Sequence, residues 1–176
     1  MERYSPMNRQ RTETHKTDRP LTVALAGNPN AGKTTIFNNL AGARQHVGNY
    51  PGVTVETKEG RFRYRDTDVT IVDLPGTYSL TAYSLEERIA RNYLLEQKPV
   101  AVVHVVDASN LERNLYLTTQ LMELDVPVII ALNMADLAQS RGFSIDVDLL
   151  AQFLGVTIVR TVGHKSKGTE ELKDAI

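Results

Sequence analysis

The sequence predicts an α/β protein built as a three-layer, doubly wound, mostly parallel six-stranded sheet with one antiparallel edge strand. Three observations carry that expectation. Val- and Ile-rich apolar runs recur along the chain, segments of helical period separate them, and one junction between the two is the stretch GNPNAGKTT at 27–35. The runs LTVALA (21–26), VTIVDL (69–74), VAVVHVVD (100–107), VPVIIALN (126–133) and VTIV (156–159) lack polar alternation, as parallel strands covered on both faces require. GRFRYR (60–65) instead alternates Phe62 and Tyr64 with charges, the pattern of an edge strand, and the turn DTD joins it to VTIVDL.

The helices between these strands carry their own start and stop signals. Ser84 with Glu87 and Ser109 with Glu112 each match a capping box, in which serine and glutamate satisfy each other's free amides. Gly155, closing SIDVDLLAQFLG, is a natural stop because glycine tolerates the left-handed cap conformation. No repeat interrupts the alternation, so ligand loops are expected beyond the strands' carboxyl ends, at 27–35, 44–58, 73–83, 133–136 and 161–164.

Composition narrows the function classes. With 176 residues the chain fits one domain, over 20–176, preceded by a polar segment 1–19 expected to be a disordered tail. Hydrophobic residues make up 41% and the formal charge is -1, so charge points to no partner and no nucleic acid is expected. There is no cysteine, which excludes thiol chemistry, a disulfide framework and a thiolate metal site within the chain. The apolar runs are far short of the roughly 20 residues that span a bilayer. Of the four histidines, His15 falls in the tail, His104 reads as a satisfied core residue, and His46 and His164 sit in loops without an assigned role.

Gly27, Gly32, Lys33 and Thr34 fit G-x-x-x-x-G-K-[ST] between a strand and a helix, the context in which this pattern is a phosphate cradle. Glycines admit the main chain to the ligand, amides converge on phosphate oxygens at the helix N-terminus, Lys33 supplies a point charge, and the Thr34 hydroxyl can ligate Mg²⁺. Asn28, Pro29, Asn30, Ala31 and Thr35 belong to the same binding stretch. NMAD at the end of VPVIIALN matches the guanine reader N-K-x-D, with Met134 in place of lysine between Asn133 and Asp136. Asp136 can accept from guanine's ring N–H and exocyclic amine, a pair of donors adenine does not offer, so GTP and GDP are the expected ligands. DLPG closes VTIVDL as D-x-x-G, with Asp73 holding a magnesium water and the Gly76 amide sensing the γ-phosphate. Thr54, in PGVTVE, lies where such proteins offer a further Mg²⁺ ligand, and Thr161, Val162 and Gly163 fit the loop whose main chain caps the base.

With those elements placed, GNPNAGKTT, NYPGVTVE, LPGTYSLTAYSLEE, VVDASNLERNLYLTTQL and ALNMAD resemble segments of the G domain of the FeoB family of bacterial ferrous-iron transporters, over roughly 21–176. The resemblance implies a Ras-like P-loop GTPase at the cytoplasmic face of the inner membrane. Its partners would be a helical domain and a polytopic membrane domain of the same protein, with other small cytoplasmic Feo proteins and a homo-oligomer as further candidates. The chain then reads as a fragment of that longer protein, its last helix cut short and the iron path in the missing membrane part. Asn30 stands where FeoB and other potassium-stimulated GTPases carry an asparagine that ligates K⁺, which implies a catalytic monovalent cation near the β–γ bridge. Many GTPases orient the attacking water with a glutamine just after D-x-x-G, where this chain has Thr77. Slow intrinsic turnover is therefore expected, and Thr77 either orients water or is a plain turn residue. Gly48, Tyr50 and Gly52 lie in a stretch suited to one mobile switch, and GTYSLTAYSLEE to the second. A soluble GTPase of ribosome or tRNA biogenesis, and a switch too slow to hydrolyse, are the alternatives.

Overall fold

The computed structural model describes residues 20–176, so the expectations for the segment 1–19 and for His15 lie outside the described residues. The elements run β1 (Leu21–Gly27), α1 (Lys33–Ala41), β2 (Gln45–Asn49), β3 (Glu56–Tyr64), β4 (Thr67–Asp73), α2 (Leu85–Gln97), β5 (Ala101–Asp107), α3 (Leu111–Met122), β6 (Val128–Asn133), α4 (Ala135–Ser140), α5 (Val147–Leu154), β7 (Thr157–Arg160) and α6 (Thr169–Ala175). One sheet holds all the strands in the order β2-β3-β4-β1-β5-β6-β7. β4, β1, β5, β6 and β7 are parallel, while β3 pairs antiparallel with β4 and β2 antiparallel with β3.

The sheet therefore has seven strands where the sequence predicts six. The extra one, β2, lies inside the stretch expected to be a loop at 44–58. Its residues QHVGN are mostly exposed, so no buried face marks them, and pairing with β3 is what holds them extended. The antiparallel edge is a two-stranded ribbon as a result. The turn into β4 also differs: it is made by Arg65, left-handed at φ 53°, and Asp66, while Thr67 and Asp68 already pair with β3.

Side chains of the parallel strands pack alternately to the two faces. Ala24, Val72, Val102 and Val106 meet Ile89 and Leu94 of α2 and Leu117 and Leu121 of α3 on one face. Val23, Leu25, Ile71, Val103 and Val105 meet Ile36, Phe37 and Leu40 of α1 and Leu172 of α6 on the other. Burial on both faces is why these strands carry no polar alternation. The chain leaves β1 for β4 on one side and returns to β5 on the other. The carboxyl end of β1 is thus a topological switch point, where open α/β sheets hold ligands.

The Ser84–Glu87 capping box forms in full, and Gly155 ends α5 in the left-handed conformation at φ 66°. The Ser109–Glu112 box does not form. Asp107, the last residue of β5, takes both the Ser109 amide and the Ser109 hydroxyl at 2.8 Å, so a 3₁₀ turn intervenes and α3 starts after Asn110.

His104 is fully buried on β5, with Nδ1 3.0 Å from the Thr118 hydroxyl and Nε2 without a partner. It is a core residue, though only half satisfied. Burial pushes its pKa from 6.5 down to about 3. The folded state therefore stays neutral while the unfolded chain takes up a proton, and stability falls as pH drops from 6.5 towards 3. Between pH 7 and pH 5 this ring costs about 2 kcal/mol of stability. Urea titrations at those two pH values should show His104→Leu losing about 2 kcal/mol less than the parent protein.

Candidate functional site

The loop from the end of β1 to the start of α1 wraps the helix N-terminus. The Ala31 amide donates to the Asn28 carbonyl at 3.1 Å, and the Thr35 and Ile36 amides both donate to the Gly32 carbonyl at 3.1 Å. Gly32 caps α1 at φ 87°, and a Cβ there would run into the side-chain amide of Asn133. At Gly27 a Cβ would stand 2.9 Å from the Val105 carbonyl, so the strand passes β5 at a distance only glycine allows. Asn28 is buried and donates to the Arg113 carbonyl of α3 at 3.5 Å, which ties the loop to that helix. Its Oδ1 is buried without a partner. Pro29 and Asn30 are exposed at the rim, Asn30 left-handed at φ 67°, and Thr34 is exposed on the first turn of α1. The N-terminus of this nine-residue helix, with its dipole, opens at the rim and is suited to an anion.

β4 delivers Asp73 to the same place. Its carboxylate pairs with the Lys33 ammonium, each side chain only 12% exposed. Gly76 faces Pro29, and the Thr77 amide donates to the Gly27 carbonyl at 3.2 Å. The Thr77 hydroxyl is committed inside its own turn, donating to the Ser79 carbonyl at 2.8 Å and accepting from the Ser79 amide at 3.3 Å.

Beyond it, the Ser79 and Thr81 hydroxyls and the Tyr83 and Ser84 amides all donate to Glu87. The Ser79 hydroxyl is the largest of the influences that hold this carboxyl below its ordinary pKa. α3 grips the same segment: the Arg113 guanidinium lies 4.1 Å from the Tyr78 ring centre, and Gln120 accepts from the Leu80 amide at 2.7 Å. Tyr50, buried against Tyr93, donates its hydroxyl to the Asp73 carbonyl, and burial raises its pKa far above the ordinary phenol value. Thr54 lies on the loop between β2 and β3. It lines an open pocket with Asn49, Tyr50, Val53 and Leu85 and makes no hydrogen bond to the cradle among the described residues.

Asn133, buried at the end of β6, joins three loops. Its amide donates to the Ala31 carbonyl at 3.0 Å, and its oxygen accepts from the Gly163 amide at 2.9 Å and the Thr161 hydroxyl at 3.4 Å. Met134 is left-handed at φ 59° and caps α4, whose first turn carries Asp136. One Asp136 oxygen accepts from the Leu137 amide at 3.0 Å. The other faces Lys165 Nζ at 3.4 Å and His164 Nε2 at 3.6 Å. Desolvation, the largest single influence, pushes this carboxyl up, but the Leu137 amide, Lys165 and the neighbouring His164 together outweigh it and hold it below the ordinary range. Lys165, Arg113 and Gln120 are not among the residues singled out in the sequence, and neither is the contact of Tyr50 with Asp73. No local pattern announces them, since each partner lies on a distant loop or helix.

The donor set suits a small hard cation. Thr34 and Asp73 offer oxygen, and the Asp73 carboxylate already holds a positive charge in the form of Lys33. Among the described residues no three His, Asp or Glu side chains gather as a metal cluster, and no helix is long and apolar enough to cross a membrane.

A phosphate cradle, a D-x-x-G strand end and an Asn-x-x-Asp loop at one rim of this sheet define a P-loop GTPase fold of the Ras-like kind. The family model described as Ferrous iron transport protein B matches residues 21–176. The Fe(2+) transporter FeoB of Salmonella typhimurium is 57% identical over 89% of this chain, and that of Escherichia coli K12 is 54% identical over the same share. The chain spans about a fifth, 21%, of the length of these relatives. Among solved structures, an S. thermophilus NFeoB mutant bound to mGDP aligns with a TM-score of 0.85 at 49% identity, covering 89% of this chain and 60% of that one. The G domain of T. maritima FeoB aligns at 0.83 with 44% identity, covering 89% and 96%. The chain belongs to the FeoB family, over the N-terminal G domain. That assignment goes against a GTPase of ribosome or tRNA biogenesis.

Proposed function

We propose that this domain binds guanine nucleotide with Mg²⁺, hydrolyses GTP slowly with K⁺ as activator, and uses the γ-phosphate to bias its switches and, through them, a membrane permease for ferrous iron at the cytoplasmic face of the bacterial inner membrane. The observation that carries this reading is Asn133, which holds the phosphate cradle and both base loops in one hydrogen-bonded unit. Mutants of S. thermophilus NFeoB bound to mGDP and GDP support the choice of nucleotide.

Cradle amides and Lys33 take the phosphates, and Lys33 leaves Asp73 to do so, which frees that carboxylate for the metal side of the site. Thr34, Asp73 through water, and Thr54 after movement of its loop would hold Mg²⁺, whose contribution is to neutralise phosphate charge. Asn30 would hold K⁺ at the rim. Asp136 reads guanine, with the main chain of Thr161, Val162 and Gly163 capping it. With its hydroxyl bound within the turn, Thr77 contributes through its main chain. Further domains of the same protein, other small cytoplasmic Feo proteins and a second copy of the chain are the partners this reading proposes.

Single-turnover hydrolysis in K⁺ against Na⁺ tests the cation. The rate should be at least about 10-fold higher in K⁺, with the roughly 10³–10⁵ of an arginine finger as the outer scale. Asn30→Ala should bring the two salts level. Equal rates in both salts for the parent protein rule out the K⁺ role, and negligible turnover in either leaves a binding switch.

A further inference from the structure

The Asp136 carboxylate serves two masters in this fold. Resting on the guanine-site reading above, we infer that His164 and Lys165 form a cationic gate that competes with the guanine base for Asp136 and makes nucleotide affinity fall in acid. A carboxylate offers about four lone-pair sites. The Leu137 amide fills one, and Lys165 and His164 both point at the remaining oxygen, at 3.4 and 3.6 Å. Guanine brings two more donors, its ring N–H and its exocyclic amine. The Leu137 and Lys165 bonds together with the two from the base fill the carboxylate, so His164, 3.6 Å from the same oxygen, has no site left and must withdraw when the base enters.

His164 is the group to withdraw. It makes the longer contact, its side chain is 65% exposed, and imidazole is the side chain whose charge changes between pH 5 and 8. Once protonated, Nε2 can only donate, and the ring becomes a charge opposed to giving up Asp136. Among the described residues no other charge competes for the ring. Asp136 on α4 and the neighbouring Lys165 are the charged groups placed at it, and α1 meets the loop with a neutral side chain, Asn39, which donates to the Gly163 carbonyl at 2.8 Å. Both cations are exposed, so screening keeps the effect modest, about two- to five-fold for a surface pair.

GDP affinity of the parent protein, His164→Ala and Lys165→Ala, each measured at pH 6 and pH 8, tests the gate, and comparison on one nucleotide cancels protonation of the phosphates. His164→Ala should bind GDP about two- to five-fold tighter than the parent protein at pH 6 and equally at pH 8. Lys165→Ala should bind tighter at both pH values, because the ammonium keeps its charge throughout. Equal or weaker binding by His164→Ala at pH 6, or weaker binding by Lys165→Ala, overturns the gate. ADP titrated in parallel separates this failure from that of the underlying reading: if ADP binds as tightly as GDP, Asp136 is no guanine reader and the gate falls with it.

Discussion

Replacing Asp136 with alanine removes the preference for guanosine over adenosine nucleotides, and replacing it with asparagine transfers that preference to xanthosine nucleotides. The carboxylate presents two acceptors to a base edge with two adjacent donors. Adenine lacks that pair, and xanthine has a carbonyl where guanine has its amine, so it needs one donor and one acceptor, which an asparagine amide supplies. A site built on such hydrogen bonds discriminates by up to about 10⁴–10⁵, because the wrong base strands buried polar groups. Here the carboxylate is partly open and shared with Lys165 and His164, which places the expected loss of GDP over ADP selectivity at about 10²–10⁴. Calorimetric titration with GDP, ADP and XDP reads it directly. A GDP to ADP ratio unchanged in the alanine variant would remove Asp136 from the site and leave the cradle without a base reader.

The parallel strands were legible because burial on both faces leaves a mark that survives in one dimension: a run such as AVVHVV tolerates nothing that water would favour except a histidine kept neutral. The loops at 27–35 and 133–136 stood out for a related reason, since the chemistry proposed for them demands particular residue types at fixed spacing within one loop. β2 left no such mark. Gln45, His46 and Asn49 are solvent-facing, and what keeps them extended is the backbone ladder to β3. Ser109 shows competition rather than absence of signal, because it has the residues of a cap and Asp107 reaches its amide and hydroxyl first. The grip of Arg113 and Gln120 on 78–80, and of Lys165 on Asp136, depends on which loops the fold brings together. No spacing within either partner carries that information.

Asn133→Ala should be the most damaging single change at this rim, and in a way that differs from Asp136→Ala. The side chain is 3% exposed and bonds the Ala31 carbonyl, the Gly163 amide and the Thr161 hydroxyl. Truncation strands the first two inside the protein, and a buried group left without its partner costs about 1–3 kcal/mol, so the expected loss of stability is about 2–5 kcal/mol. Thr161→Val, which removes only the long 3.4 Å contact, should cost under about 1 kcal/mol. The two variants therefore rank the bonds of this junction by urea titration. Nucleotide binding adds a second reading. Losing Asp136 spares the cradle and affects only base choice, whereas losing Asn133 lets the 27–35 loop move relative to 161–163, so affinity for the phosphates themselves should fall, including for inorganic pyrophosphate, which has no base. If Asn133→Ala keeps its stability within about 0.5 kcal/mol and still binds pyrophosphate like the parent protein, cradle and base reader are independent modules. The coupling assigned to this asparagine would then be wrong.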